Sequence, residues 1–127
     1  MASTLNAFFD RYRRAFERRE LDKLLDMVAI PCMVATGHGP STIGDRDTMR
    51  NRLEAQVTRH AEAGVADAAF EIVAHRRLAA SLLQAEVRWT FHDDAGEILT
   101  TFDLMYLMHS SEHGWRISLV APVENIP

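Results

Sequence analysis

One cysteine in 127 residues excludes an internal disulfide and leaves any thiolate metal site without a second sulfur ligand. Cys32 therefore reads as a buried structural thiol. Nothing approaches the roughly 18 consecutive apolar residues that span a bilayer, and no charged start leads into an apolar core with a small-residue cleavage site. The chain is expected to stay in the cytoplasm, without a membrane partner. It also lacks a basic footprint: the net charge is −4, the pI is near 5.8, and acids and bases alternate along the chain. That balance does not suit phosphate neutralisation, so no nucleic-acid partner is expected. The one basic cluster, Arg11, Arg13, Arg14, Arg18 and Arg19, is broken by Glu17 and followed by Glu20 and Asp22. It reads as the solvated side of an amphipathic helix. No nucleotide or phosphate loop, internal repeat or low-complexity segment is present, and no cofactor is expected.

What remains is an ordinary globular composition, 47% hydrophobic and 25% charged, too apolar for disorder. At this length one core suffices, and residues 1–127 read as a single domain that buries about two-thirds of the surface of its unfolded chain.

From Thr4 to Arg18 the residues Leu5, Phe8, Phe9, Tyr12 and Phe16 recur at three- and four-residue steps, the period of a helix buried on one stripe. A second, short helix is expected over Leu21 to Val28, ending before Pro31, which restricts Ile30. Cys32 to Thr36 reads as a short strand, and Gly37-His38-Gly39-Pro40 as a loop that breaks any regular element. Asp45 offers an N-cap to a third helix carrying Met49, Leu53, Gln56, Val57 and His60 and stopping near Gly64. Beyond Ala69, β-branched and aromatic residues alternate with polar ones over Phe70 to Arg77, Leu82 to His92, Ile98 to His109 and Trp115 to Ala121. Helices first and an antiparallel meander after them is an α+β order, with three N-terminal helices packed on a curved, mostly antiparallel sheet.

Asp93-Asp94-Ala95-Gly96 and Ser111-Glu112-His113-Gly114 both end in glycine, which suits a three-residue hairpin loop closed by a left-handed glycine. That turn pairs Asp93 with Glu97 and, by twos, Phe91 with Leu99, Trp89 with Thr101, Val87 with Asp103 and Ala85 with Met105. Ile117 and Leu119 continue this face opposite His109 and Leu107. The opposite face holds Gln84, Glu86, Arg88 and Thr90 beside Thr100, Phe102, Leu104 and Tyr106. With so apolar a central strand it is a candidate homodimer interface. The same register sends Asp103 inward among Trp89, Val87, Met105 and Leu107, where burial would raise its pKa and mark it as a functional candidate. The competing reading is an Asp103 hydrogen-bonded to a helix end, or to Arg88 after a register slip.

The helix pair from Tyr12 to Leu25, the segment Ile43-Gly44-Asp45-Arg46-Asp47-Thr48-Met49, and the run Phe102-Asp103-Leu104-Met105 leading to Glu112-His113-Gly114-Trp115-Arg116-Ile117 together resemble the nuclear-transport-factor-2-like superfamily. That superfamily includes ketosteroid isomerase, scytalone dehydratase and the SnoaL-like polyketide cyclases, and the likeness covers nearly the whole chain. It implies a cone-shaped, cystatin-like half-barrel. In ketosteroid isomerase a tyrosine on helix one and a protonated aspartic acid on a late strand form an oxyanion hole, and an aspartate at the end of strand one is the base. The resemblance maps the tyrosine to Tyr12, the strand acid to Asp103 and the base position to Thr36, whose hydroxyl does not take up a proton near neutral pH. His38, two residues on, has the right unperturbed pKa for a substitute base and competes with a plain loop reading. No two of the six histidines have a metal-ligand spacing with a carboxylate.

Two functions follow. The first is a site for a small hydrophobic molecule, lined by Phe8, Phe16, Thr36, Trp89, Met105 and Leu119, with Tyr12 and Asp103 as polar pair and His38 near them. By analogy of fold it would carry isomerase, dehydratase or cyclase chemistry on a carbonyl compound. The second is a non-catalytic ligand-binding or dimerisation module, since aromatic and methionine stripes at these spacings are explained by packing alone.

Overall fold

A computed structural model describes residues 2–124. Three helices, α1 (Ala2–Glu17), α2 (Leu21–Asp26) and α3 (Arg46–Glu62), accompany six strands: β1 (Val28–Thr36), β2 (Gly39–Ile43), β3 (Asp67–Ala79), β4 (Leu82–His92), β5 (Ile98–Ser111) and β6 (Gly114–Val123). The strands form one open sheet in the order β2-β1-β6-β5-β4-β3. Only β1 and β6 pair in parallel, and all other neighbours are antiparallel. This is the expected α+β architecture. Bulges interrupt the pairing of the long strands, and such interruptions bend and twist a sheet into a trough.

The helical stripe read from the sequence is the packed one: Leu5, Phe8, Phe9, Tyr12 and Ala15 of α1 are buried against the sheet. On α3 the buried side is Met49, Leu53 and Val57, and Asp45 caps its start, accepting from Thr48 N at 2.7 Å and from the Thr48 hydroxyl at 2.8 Å. The second helix is shorter than expected. It ends at Asp26 because Val28 already belongs to β1, where Met27 O accepts from Ile117 N at 2.9 Å. The segment expected as a structureless loop is also corrected. Gly37 and His38 form a tight turn, and Gly39–Ile43 is an edge strand on which Pro40 is tolerated because an edge needs fewer donors.

The main correction concerns register. The first hairpin turn forms as read: Asp93 N donates to Glu97 O at 3.0 Å, Asp93 Oδ1 accepts from Ala95 N and Glu97 N, and Gly96 has φ +81°. Immediately beyond it the pairing slips, with His92 opposite Ile98 and Phe91 opposite Thr100, so Leu99 is the extra residue of a bulge. Trp89 then faces Phe102, Val87 faces Leu104, Ala85 faces Tyr106, and Arg88 faces Asp103. The inward faces of β4 are as expected, but those of β5 are reversed. The reason is burial. The register counted from the turn would send Thr101 and Asp103 into the core, whereas the bulge sends in Phe102, Leu104, Tyr106 and Met108. Each large apolar side chain gains about 1.5–3 kcal/mol on burial, and an unpaired buried carboxylate costs far more than a local bulge.

Asp103 accordingly lies on the outer face, gripped by Arg88 through Nε to Oδ1 at 2.9 Å and Nη2 to Oδ2 at 3.0 Å. Met105 and Leu119 also point outward. In the second hairpin the loop has two residues rather than three, with Ser111 opposite Gly114, and a bulge at Ser118 restores the expected pairing of Leu107 with Leu119. That pair sits on the face opposite to the one expected. The Asp45 cap gives a direct stability test: Asp45→Ala should cost about 0.5–2 kcal/mol in urea unfolding, and an unchanged midpoint would mean that the cap contributes nothing.

Candidate functional site

Between α1, α3 and the inner face of the sheet lies a cavity of about 200 Å³. That is more than the roughly 150 Å³ that holds a benzene ring and less than the roughly 300–1,000 Å³ of drug-sized pockets. Its wall is aromatic: Tyr12 and Phe16 from α1, Trp89 and Phe91 from β4, and Phe102 and Tyr106 from β5. Val28, Cys32 and Val34 of β1, together with Ile117 and Val120 of β6, close the far side. The exposed lining residues Arg19, Arg52, Ala61 and Ala66 mark its mouth.

Three of the residues expected here are present: Tyr12, Phe16 and Trp89. Phe8 is in the core on the same stripe of α1 but stacks behind the wall, parallel to Tyr12 with ring centroids 6.3 Å apart. Thr36 and His38 belong to the β1–β2 turn, where the Thr36 hydroxyl accepts from His38 N and donates to Gly39 O, both at 3.2 Å. Neither lines the cavity. Met105, Leu119 and Asp103 are on the outer face, so the expected pairing of Tyr12 with Asp103 does not form.

A different polar pair stands in its place. Trp89 Nε1 donates to the Tyr106 hydroxyl at 2.9 Å, and the Tyr12 and Tyr106 rings meet edge to face with centroids 6.3 Å apart. Both phenols are buried, and desolvation pushes both pKa values up, so each stays protonated across the whole neutral range. Among the described residues no group hydrogen-bonds the Tyr12 hydroxyl. The Tyr106 oxygen accepts from the indole and keeps its own proton to donate. The Cys32 thiol lies close by and is pushed up to about 11 by burial, which keeps it an unreactive thiol as expected. Sequence reading missed Tyr106 because the assumed register turned it outward. The signal that could have found it was hydrophobic content, since the alternate face of β5 is Phe, Leu, Tyr and Met in succession.

The only carboxylate in the described wall is Glu17, bound by Arg13 at 3.1 Å and by Ala68 N at 3.0 Å. The third helix contributes His60, half-buried between Phe91, with ring centroids at 4.9 Å, and Phe16, at 5.9 Å. Among the described residues no three of His, Cys, Asp or Glu come together to hold a metal ion, and no helix is long and apolar enough to cross a membrane.

Helices packed into the trough of an open six-stranded sheet, over a cavity closed by aromatic rings, define the nuclear-transport-factor-2-like class. The chain belongs to the family described as NTF2-like protein (DUF6841), which matches residues 3–125. Solved structures agree on the fold. A Nostoc punctiforme domain of unknown function with a cystatin-like fold aligns with TM-score 0.75 at 15% identity, over 99% of this chain and 78% of that one. An NTF-2 like protein of unknown function from Shewanella oneidensis aligns with TM-score 0.73 at 14% identity, over 97% and 98%. A ketosteroid isomerase-like protein from Erwinia carotovora atroseptica aligns with TM-score 0.66 at 15% identity, over 97% and 96%. No curated protein matches the chain.

His60 generates a pH test. Desolvation, with a smaller contribution from Arg59, holds its pKa below the ordinary value. The unfolded chain therefore takes up this proton first, near pH 6.5, and the folded chain only at lower pH. The associated stability is complete above about pH 6.5 and is lost as pH falls through the folded value. The melting temperature should fall between about pH 7 and 5, and His60→Gln should flatten that part of the curve. An unchanged slope in the variant would assign the effect to another group.

Proposed function

We propose that this protein binds a small hydrophobic carbonyl compound, of the size of one ring with a short side chain, in the aromatic cavity. The carrying observation is the Trp89–Tyr106 hydrogen bond at 2.9 Å. It fixes the Tyr106 phenol with its oxygen already satisfied and its proton to spare, beside a second buried phenol, Tyr12. Two donors set into an apolar wall suit an oxygen acceptor on an otherwise apolar ligand, because such an acceptor leaves no buried polar group unpaired. A four-ring substrate does not match about 200 Å³.

The same donors would hold an enolate-like oxygen better than a neutral carbonyl, so the wall can serve isomerase, dehydratase or cyclase chemistry through its oxyanion side. Binding without turnover is the reading that the basic side favours. Thr36 and His38 lie in the β1–β2 turn and do not line the cavity, and Glu17 is already engaged by Arg13 and Ala68. Tyr12 and Tyr106 are therefore assigned to recognition, in place of the Tyr12 and Asp103 pair.

The outer sheet face is proposed as a homodimer surface, for a reason other than Phe102, Leu104 and Tyr106. Those three turn inward. Met33, Leu119 and Leu107 instead stand in one row across β1, β6 and β5, with Met105 beside Ala121 in the next row. On the same face Arg116 Nε is buried without a hydrogen-bond partner among the described residues, as a group awaiting an acceptor from a second copy would be.

Both proposals are testable. Butyrophenone, a phenyl ketone, should raise the melting temperature of the protein, with about 2.7 kcal/mol of stabilisation at 100 times its dissociation constant. Tyr12→Phe and Tyr106→Phe should each weaken binding by about 0.5–1.5 kcal/mol. No shift with the ketone removes the cavity reading, and equal shifts in the Phe variants remove the phenols from it. Light scattering should give a dimer for the natural chain and a monomer for Leu119→Asp. A monomeric natural chain ends the interface proposal.

A further inference from the structure

The cavity-facing side of α3 has two ridges. Met49, Leu53 and Val57 form the apolar one, already counted in the core. Beside it, Arg52, Gln56 and His60 recur every fourth residue, so they stack along a single line of the helix, about 6 Å apart per step, and all three line the cavity. A polar line along the edge of an aromatic wall is not needed for packing.

Charge sharpens this reading. Two other arginines of α3 are neutralised by α2: Arg50 pairs with Asp22 at 2.6 Å and Arg46 with Asp26 at 3.5 Å. Arg13, at the cavity, is held by Asp10 at 2.7 Å and Glu17 at 3.1 Å. Arg52 has no acidic partner among the described residues, although it lies near enough to Cys32 to favour its thiolate. The mouth thus carries a guanidinium with nothing to bind, one helical turn from the neutral amide of Gln56. His60, uncharged near neutral pH and wedged between Phe16 and Phe91, borders the ring-filled end of the same line.

We propose that the natural ligand is an organic acid, an aryl oxo acid, whose ring and ketone occupy the aromatic cavity and whose carboxylate is held at the mouth by Arg52, with Gln56 as second donor. This rests on the cavity reading and adds the charge of the ligand to it. The phenols at the floor hold the ketone, and the guanidinium and amide at the rim hold the two carboxylate oxygens.

The test uses two probes that share a phenyl ketone and differ in charge, 4-oxo-4-phenylbutanoate and butyrophenone, titrated by calorimetry against the natural chain, Arg52→Gln and Arg50→Gln. The acid should bind the natural chain at least about tenfold tighter than the ketone, and Arg52→Gln should remove that advantage without changing butyrophenone affinity. Arg50→Gln, on the face toward α2, should leave both unchanged, and added salt should weaken the acid alone. Arg52 is exposed, so its variant should keep the melting temperature of the natural chain. If the acid binds no better than the ketone, or Arg52→Gln weakens both alike, this inference is overturned while the cavity reading stands. If neither probe binds, both fall.

Discussion

The structure depends on which face of β5 turns inward. Phe102, Leu104, Tyr106 and Met108 alternate along that strand, and sending them to the helices supplies the middle of the core and two of the six rings of the aromatic wall at once. Everything near them follows. Trp89 finds a hydroxyl to donate to, Tyr12 gains an aromatic neighbour, and Asp103 is expelled to the surface, where Arg88 meets it with both ends of its fork. One bulged residue, Leu99, reconciles this burial with a hairpin turn whose own hydrogen bonds would dictate the opposite face. A non-local hydrophobic preference overrides a correctly formed local turn because the turn fixes only its closing pair, while burial acts on every second residue of the strand.

That contest explains how much was legible in the residues. Periodicity placed the helices well, since a stripe such as Leu5, Phe8, Phe9 and Tyr12 has one reading, and the Asp45 cap is a local event complete within four residues. Strands β4 to β6 were visible by alternation. What alternation along single strands did not contain was their relative phase, because each bulge inverts the parity of everything beyond it. The site depends on it most, since it is defined by phase: a register counted from the turns puts Asp103, Met105 and Leu119 inward and Tyr106 outward, whereas the bulged pairing turns the first three outward and Tyr106 into the cavity wall. The edge strand β2 was hidden for another reason. Gly39 and Pro40 weaken its intrinsic preference, and it exists by pairing with β1.

Membership of the NTF2-like family fixes the container and leaves its contents to individual side chains. Here Asp103, the strand acid at the position the family resemblance associated with an oxyanion hole, forms an external ion pair, and the uncharged hydroxyls in the cavity wall belong to Tyr12 and Tyr106. A phenol stays protonated in an apolar wall without any acid having to be held far above its natural pKa. It also ties the cavity wall to the core, because Tyr106 is at once a wall residue, a core residue and the acceptor of the Trp89 indole.

The third helix divides its labour differently. Its Met49, Leu53 and Val57 ridge anchors it to the rest of the molecule, with His60 packed between Phe16 and Phe91, whereas Arg52 and Gln56 touch the cavity without being part of that anchor. Arg52 and Gln56 can therefore be exchanged with little effect on the buried ridge, so the polarity of the cavity's edge is set apart from the stability of the fold. The phenol of Tyr106 has no such freedom, because the Trp89 indole holds it inside the core.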